Sequence, residues 1–252
     1  MTQWLEELGI GIAAGLLSGL TGVGGGIIMV PLLVSLIHLD QHVAQGTSLL
    51  TFSMPVLAMA ARRYWLAGKV KPIASIGIAI GMLPMSMITA VWAQSLPTAL
   101  LRQIFGGFIA VVGLYQIWQT WRGSVPEEKI PRSPLWAWGL LGGIIAGTLS
   151  GLTGIGGGVV LVPYLVWVVR LDQHTAQGTS LLTLSFPILL AAAIPYLKAE
   201  RALPLASLGL GVGLVLGSSL SAQWAQNIRS SYLSISFGVL LVIIGIYFVL
   251  KA

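Results

Sequence analysis

The sequence predicts an all-α integral membrane protein built from two tandem repeats of about four transmembrane helices each. Three observations support this fold. The chain of 252 residues is 56% hydrophobic but only 8% charged, whereas a soluble domain carries about 25% charged residues. Apolar stretches of about twenty residues or more follow one another, and each is long enough to cross a hydrocarbon core ~30 Å thick. Finally, the second half of the chain repeats the first.

The internal repeat keeps one offset without a gap. Ser18 corresponds to Ser150, which gives an offset of 150 − 18 = 132 positions. The same offset relates Asp40 to Asp172, Pro55 to Pro187 and Tyr115 to Tyr247. We therefore predict a first transmembrane repeat at 1–122, a proline-rich and charged cytoplasmic linker at 123–134, and a second transmembrane repeat at 135–252. Two-repeat architecture is common among secondary transporters.

The first helix of each repeat is predicted to be broken at a glycine-rich segment. The apolar stretch from Leu8 to Ile37 would measure roughly 45 Å as one helix, which is too long for a single crossing. Gly24–Gly26 lies inside it, and glycine loses the most backbone entropy on entering a helix. Two half-helices at 8–20 and 26–37 fit this pattern better. Gly156–Gly158 predicts the same break within 137–170.

The other spans follow from apolar runs and their boundaries. In the first repeat we predict spans at 43–64, 70–92 and 98–121, with Pro55 kinking the first of these because proline removes a helical hydrogen bond. The equivalent spans of the second repeat fall near 175–196, 203–225 and 230–251.

Loop charges predict how the halves are related. If each half crosses four times, only Arg102, Arg170 and Arg229 fall on one face. The other face then carries ten basic residues: Arg62, Arg63, Lys69, Lys71, Arg122, Lys129, Arg132, Lys198, Arg201 and Lys251. The positive-inside rule makes that face, with both termini, cytoplasmic. This count favours parallel repeats about an axis along the membrane normal. An inverted arrangement stays open if each broken segment is a re-entrant hairpin that does not cross.

The glycine segments are predicted to bind substrate through the backbone. Unwound chain at Gly24, Gly25 and Gly26, and at Gly156, Gly157 and Gly158, offers free N–H groups, and the following half-helix points its positive end at them. Together these features make an anion site. Close helix packing is the alternative reading, and we favour it for Gly15 and Gly147. A nucleotide-binding loop is excluded because no strand precedes the glycines and no Gly-Lys-Ser/Thr occurs.

A repeated polar tetrapeptide follows each glycine segment. It consists of Gln45, Gly46, Thr47 and Ser48 in the first half, and of Gln177, Gly178, Thr179 and Ser180 in the second. An amide and two hydroxyls can donate hydrogen bonds to an anion without a permanent charge, and we predict that these residues bind substrate. The alternative is that Thr and Ser satisfy carbonyls of their own helix.

An Asp-x-His pair precedes each tetrapeptide. Asp40 and Asp172 stand where the N-cap of the next helix is expected. His42 and His174 can titrate near neutral pH and are candidates for proton coupling. A metal site is not predicted because a third ligand is missing. No cofactor is predicted, and the absence of cysteine excludes thiol catalysis and disulfides.

The doubled motif Leu-Ser-Gly-Leu-Thr-Gly-x-Gly-Gly-Gly-x-x-x-x-Pro, with His-x-Ala-Gln-Gly-Thr-Ser-Leu after it, resembles the sulfite exporter TauE/SafE family of membrane transporters. The resemblance covers almost the entire chain. It implies a multi-pass permease of the bacterial cytoplasmic membrane that moves sulfite, thiosulfate, sulfonates or similar anions. Besides the glycines and tetrapeptides already named, Gly22, Pro31, Gly154 and Pro163 match the family motif.

The sequence thus predicts a secondary transporter of a small sulfur-containing or organic anion, with the lipid bilayer and a coupling proton as partners. A passive anion channel and a non-transport assembly factor are the alternatives. An enzyme is not predicted, because the seven acids lie at span ends or in loops: Glu6, Glu7, Asp40, Glu127, Glu128, Asp172 and Glu200. The net charge of +6 is explained by membrane orientation and predicts no nucleic-acid partner. The sequence indicates no oligomeric state.

Overall fold

A computed structural model describes residues 2–121, 134–225, 228 and 230–250. In these ranges the protein is all-helical, with 82% helix and no strand. The predicted linker at 123–134 lies outside the described residues, apart from Pro134. The first half contains α1 (Thr2–Thr21), α2 (Gly26–Ser35), α3 (Gln41–Ser53), α4 (Ala58–Leu66), α5 (Pro72–Ala93) and α6 (Thr98–Trp121). The second half contains α7 (Leu135–Thr153), α8 (Gly158–Trp167), α9 (Gln173–Leu184), a 3-10 turn (Pro187–Leu189), α10 (Leu190–Lys198), α11 (Pro204–Ala225) and α12 (Ser230–Leu250).

Several described helices are long and apolar enough to cross a membrane. By length and composition these are α5, α6, α7 and α11. Two bent pairs raise the number to six: α3 with α4, bent by 48°, and α9 with the turn and α10, bent by 51°. The first bend contains Pro55, as the sequence predicts. On α5, Ile76, Ile80 and Leu83 are 47–62% exposed, and such an apolar outer surface suits contact with lipid.

The two halves interlock through two parallel helix pairs. Helix α1 packs along α11, with Gly11 against Leu210 and Gly19 against Ser221. Helix α7 packs along α5, with Gly143 against Ile78. A methyl group on Gly143 would lie 2.2 Å from the Ile78 carbonyl oxygen, so the backbones approach as closely as small residues allow. In both pairs, one helix comes from each half.

The last helices of the two halves run in opposite directions. In the pair of α6 and α12, Gly106 lies against Gly245 and Gly113 lies against Gly238. The position numbers rise along one helix while they fall along the other, so α6 and α12 are antiparallel. These two helices are equivalent under the 132-position offset.

The chain turns back at each glycine-rich segment. A methyl group on Gly25, which precedes α2, would lie 2.5 Å from the carbonyl oxygen of Ala14 in the middle of α1. In the second half, the Tyr164 hydroxyl of α8 donates to the Trp138 carbonyl near the start of α7, at 2.8 Å. Each short helix therefore runs back along the helix before it. The predicted break is present, since α1 ends at Thr21 and α2 begins at Gly26. The two half-helices do not continue in one direction, however, and the chain follows the re-entrant alternative because the glycine conformations reverse it.

Candidate functional site

Two glycine segments meet inside the helical bundle. The first glycine segment is Gly22–Gly25, between α1 and α2, and the second is Gly154–Gly157, between α7 and α8. A methyl group on Gly26 would lie 2.3 Å from the Ile155 carbonyl oxygen. A methyl group on Gly158 would lie 2.1 Å from the Val23 carbonyl oxygen. The segments therefore contact each other directly, and both are buried.

The conformation of the glycine segments requires glycine. Gly22, Gly24 and Gly25 have φ angles of 73°, 88° and 68°, and the equivalent Gly154, Gly156 and Gly157 have φ angles of 72°, 86° and 71°. Side chains disfavour this left-handed region, but glycine adopts it freely. Successive peptide units in such conformations point their N–H groups into a shared concavity, which is a known arrangement for binding anions.

Three N–H groups of each segment are available, while those of Gly22 and Gly154 donate to the carbonyls of Ser18 and Ser150. Within the described part of the chain, the N–H groups of Val23, Gly24 and Gly25 donate no hydrogen bond, and the same holds at 155–157. Buried N–H groups without a partner are rare, because losing water without replacing its hydrogen bond is costly. This geometry agrees with the prediction that the segments present backbone donors.

Each polar tetrapeptide lies against the glycine segment of the other half. A methyl group on Gly22 would lie 2.5 Å from Cβ of Gln177, and one on Gly154 would lie 2.6 Å from Cβ of Gln45. The sequence places each tetrapeptide beside the break of its own half, and this detail is wrong. The physical reason is the interlocking of the halves, which carries the end of α1 to α9 and the end of α7 to α3.

The two glutamines are engaged in holding helix ends. Nε2 of Gln177 donates to the Leu20 carbonyl at 3.2 Å, while its Oε1 accepts from the Tyr64 hydroxyl at 3.2 Å. The Oε1 atom of Gln45 accepts from the Tyr196 hydroxyl at 3.3 Å. The carbonyls of the last helical turn lack partners within their own helix. Gln177 thus satisfies the C-terminal end of α1, which belongs to the other half.

The threonines and glycines of the tetrapeptides also contact the other half. Oγ1 of Thr179 accepts from the Lys71 N–H at 3.0 Å, and Oγ1 of Thr47 accepts from the Leu203 N–H at 3.1 Å. Each threonine therefore satisfies a donor just before α5 or α11. Gly46 and Gly178 are close-approach positions, because an added methyl group would lie 2.0 Å from a backbone carbonyl oxygen of the other half.

The serines of the tetrapeptides differ from their neighbours. Ser48 and Ser180 are both 0% exposed, and neither hydroxyl has a hydrogen-bond partner. Ser180 lies on the face of α9 between Gln177, which contacts Gly22, and Leu184, which contacts Gly24, because positions three and four apart share a helix face. Ser48 holds the same place on α3 relative to the second glycine segment. Of the four hydroxyls in the tetrapeptides, these two are left without a partner.

The site contains side chains that the sequence interpretation missed. Tyr64 and Tyr196 are fully buried, and each hydroxyl joins a glutamine to a carbonyl near the end of α1 or α7, at Gly19 or Gly151. The available signal was their recurrence at the offset of 132 positions within apolar spans.

An aromatic side chain lies between the two glycine segments. Phe52 is 0% exposed, and its ring lies within about van der Waals reach of both Gly24 and Gly156. Leu184, the residue equivalent to Phe52 in the second half, lies on the first segment through Gly24. The Phe52 ring therefore packs against both segments where they meet.

The Asp-x-His pairs lie at the beginnings of α3 and α9. Asp40 accepts from the His42 N–H at 2.9 Å, and Asp172 accepts from the N–H groups of His174 and Thr175 at 3.1 and 3.2 Å. The predicted N-cap role of both aspartates is thereby confirmed. The Nδ1 atoms of His42 and His174 are buried without a partner, and neither histidine lies at the glycine segments.

One ion pair joins the halves beside α9. Nζ of Lys69 lies 3.6 Å from Oδ1 of Asp172. Partial burial alone would raise the pKa of Asp172, but the hydrogen bonds from Thr175 and the charges of Lys69 and His174 hold its pKa below the ordinary value.

Low pH should therefore weaken the ion pair between Lys69 and Asp172. Because the pKa of Asp172 is lower in the folded chain, the carboxylate contributes stability above its unfolded pKa of about 4 and loses it as pH falls through the folded pKa. We expect Asp172→Asn to flatten the acid side of a plot of unfolding temperature against pH, measured in detergent. Asp40→Asn, at an equivalent cap with no ion pair among the described residues, is the control. Parallel acid limbs for Asp172→Asn and the unchanged protein would contradict this expectation.

Comparison with known proteins agrees with this architecture of apolar helices. The profile of the family described as "Sulfite exporter TauE/SafE" matches residues 8–248. The chain is 25% identical over 261 residues to a probable membrane transporter protein of Methanocaldococcus jannaschii, covering 96% of this chain and 93% of that protein. It is 26% identical over 254 residues to a probable membrane transporter protein of Xylella fastidiosa, covering 98% and 95%. Over 117 residues it is 32% identical to the probable membrane transporter protein YunE of Bacillus subtilis, covering 44% and 42%. No solved structure matches the chain.

Proposed function

Because this chain belongs to the sulfite exporter TauE/SafE family, we propose that it is a secondary transporter of a small sulfur-containing or organic anion in the bacterial cytoplasmic membrane. Membership makes it a membrane transporter with a small-molecule substrate and the bilayer as surroundings, and it argues against an enzyme. The single observation that supports an anionic substrate is the pair of buried glycine segments, in each of which three successive N–H groups have no partner in the described part of the chain.

Only some residues of the motif are proposed to bind the substrate directly. The backbone N–H groups at 23–25 and 155–157, with the hydroxyls of Ser48 and Ser180, would hold the anion, whereas the N–H groups of Gly26 and Gly158 already donate to the carbonyls of Gly24 and Gly156. Gln45, Gly46, Thr47, Gln177, Gly178 and Thr179 would position these groups, since their own hydrogen bonds and close contacts join the two halves. Neutral donors suit transport because a buried opposite charge would bind the anion too tightly for its release.

Flux measurements test the function. Purified protein in liposomes should move labelled sulfite or thiosulfate, and a proton gradient should drive accumulation against the anion gradient. Ser48→Ala combined with Ser180→Ala should lower flux at least about tenfold, since a hydrogen bond to a charged group contributes about 1.5–3 kcal/mol. Ser219→Ala is the control, because this hydroxyl bonds only within α11.

The outcomes separate the proposals. Flux that no gradient drives uphill would favour the passive channel. No flux of any sulfur anion, from protein with an unchanged unfolding temperature, would overturn the substrate class. Full flux after replacing both serines would remove them from the binding site. His42 and His174 stay candidates for proton coupling, and His42→Gln with His174→Gln should abolish the effect of the proton gradient if they carry it.

We also propose that the halves are inverted repeats, related by an axis in the membrane plane. The antiparallel course of the equivalent helices α6 and α12 supports this, because an axis along the membrane normal would make them parallel. The reversals after α1 and α7 support it too, since they leave an odd number of crossings in each half. Loop charges favoured the parallel arrangement only under the assumption of four crossings.

Inverted repeats change the proposed orientation. Arg62, Arg63, Lys69, Lys71 and Arg170 then share one face, while Arg102, Lys198 and Arg201 share the other. The positive-inside rule makes the first face cytoplasmic. Helix α1 begins at the opposite face, so the amino terminus would be outside the cytoplasm, in place of the cytoplasmic termini expected from four crossings.

Cysteine labelling tests this topology on a chain that has no native cysteine. Ala67 and Ala199 are equivalent and exposed positions after α4 and α10. With inverted repeats, a membrane-impermeant thiol reagent should label Ala199→Cys but not Ala67→Cys in intact cells. After lysis, both variants should react. Equal labelling of the two variants in intact cells would contradict the inverted arrangement.

A further inference from the structure

Two further serines have the same unsatisfied chemistry as Ser48 and Ser180. Ser18 of α1 is 0% exposed and Ser150 of α7 is 1% exposed, and neither hydroxyl has a hydrogen-bond partner. They are equivalent under the offset of 132 positions. Burying a hydroxyl without a hydrogen bond costs free energy in a membrane interior. Four such hydroxyls, those of Ser18, Ser48, Ser150 and Ser180, lie around the glycine segments.

Each of these serines lies on a helix face that contacts a glycine segment. In α1, Ser18 is one turn after Ala14, whose backbone contacts Gly25. In α7, Ser150 is one turn after Ala146, whose backbone contacts Gly157. Because residues four apart share a helix face, Ser18 lies toward the first glycine segment and Ser150 lies toward the second.

The donors therefore form two sets. The first glycine segment has the free N–H groups at 23–25, Ser18 from its own half and Ser180 from the other half. The second glycine segment has the N–H groups at 155–157, with Ser150 and Ser48. Each set contains three backbone donors and two hydroxyls, and none of these five groups carries a charge. This composition suits an oxyanion with at least three acceptor oxygens, such as sulfite or a sulfonate.

We propose that the protein has two separate oxyanion-binding positions, one at each glycine segment, with Ser18 and Ser150 as binding residues. Phe52 contacts both segments, at Gly24 and Gly156, and we infer that its ring keeps the two positions distinct. This inference rests on the proposed function and adds to it, because each glycine segment becomes a binding position of its own and the two act in series. An anion would then pass from one position to the other during transport.

Binding stoichiometry tests the inference. Titration calorimetry of the purified protein with sulfite should give two anions per chain. Ser18→Ala with Ser180→Ala should leave one anion per chain, and so should Ser150→Ala with Ser48→Ala. The quadruple variant should bind none. Ser219→Ala, with its hydrogen bond inside α11, should still bind two, and equal unfolding temperatures would show that the variants are folded.

The outcomes distinguish this inference from the proposed function. One anion per chain, lost in either double variant, would overturn the two positions but keep the anion transporter. Unchanged binding in both double variants would remove the serines from the sites. No binding of sulfite, thiosulfate or a sulfonate to the folded protein would overturn both proposals, and the four hydroxyls would then be satisfied by water alone.

Discussion

Replacing Gly158 by alanine is expected to destabilise the folded protein by roughly 1–3 kcal/mol, as overpacking does in well-packed interiors. The new methyl group would lie 2.1 Å from the Val23 carbonyl oxygen. The group it meets is backbone of the other half and cannot rotate away. Gly26→Ala should act similarly, since its methyl group would lie 2.3 Å from the Ile155 carbonyl oxygen. Thermal unfolding in detergent measures the effect, at about 2–4 °C for each kcal/mol.

A matched glycine gives the control for this prediction. Gly107 lies in α6 with no atom within 4 Å of an added methyl group. Gly107→Ala should therefore leave the unfolding temperature unchanged or raise it, because alanine favours a helix by about 1 kcal/mol over glycine. If Gly158→Ala and Gly107→Ala unfold at the same temperature, the two glycine segments are not in contact.

Replacing Phe52 by alanine should have a second large effect, on stability and on flux. The ring is 0% exposed, and truncating a buried phenylalanine costs about 3–5 kcal/mol. Packing drives helix association in membranes, so the cavity lowers the stability of the folded protein even without a hydrophobic effect. Because the ring separates the donors of the two glycine segments, we also expect anion leak that a proton gradient no longer drives.

Two variants sharpen this experiment. Phe52→Leu should keep most of the stability and the coupled flux, because leucine already stands at the equivalent position, Leu184. Phe186→Ala removes a ring that is 46% exposed and should change neither property much. Coupled flux in a folded Phe52→Ala variant would show that the ring does not separate the two positions.

The sequence was sufficient for the class of fold and for the elements. Apolar length and low charge predicted a helical membrane protein, and Pro55 predicted the bend between α3 and α4. Asp40 and Asp172 are N-caps as predicted, because a cap depends on a few neighbouring residues. Such features depend on residues that are neighbours in the chain, and so the sequence predicts them.

The sequence was insufficient where the halves meet. Gln45 was placed beside Gly24 because the two are near in sequence, yet it contacts Gly154, which is 109 positions away (154 − 45). The direction of the chain after Gly22 was also misjudged. Glycine indicates that a helix stops, but the chain returns because three of the four residues Gly22–Gly25 have left-handed φ angles, and residue types alone do not predict those angles.

The candidate site also combines features that the sequence predicts with features that it does not. A repeated Gln-Gly-Thr-Ser predicted polar donors near the glycines but not which donors have partners. Gln177 and Thr179 bind the end of α1 and the residue before α5, whereas Ser180 binds nothing in the protein. Ser18 was not predicted to bind substrate, because a single serine in an apolar helix is common and usually donates a hydrogen bond to the backbone of its own helix.

The exchange of helices between halves has a consequence for biosynthesis. The Ser221 hydroxyl donates to the Gly15 carbonyl across 206 positions, so α1 is synthesised long before its partner α11. Contacts between residues so distant in sequence form slowly. Until α11 arrives, the glycine-rich face of α1 is uncovered, and a chain that stops early leaves this face uncovered permanently. Membrane quality control should therefore degrade truncated chains, and neither half should persist when it is made alone.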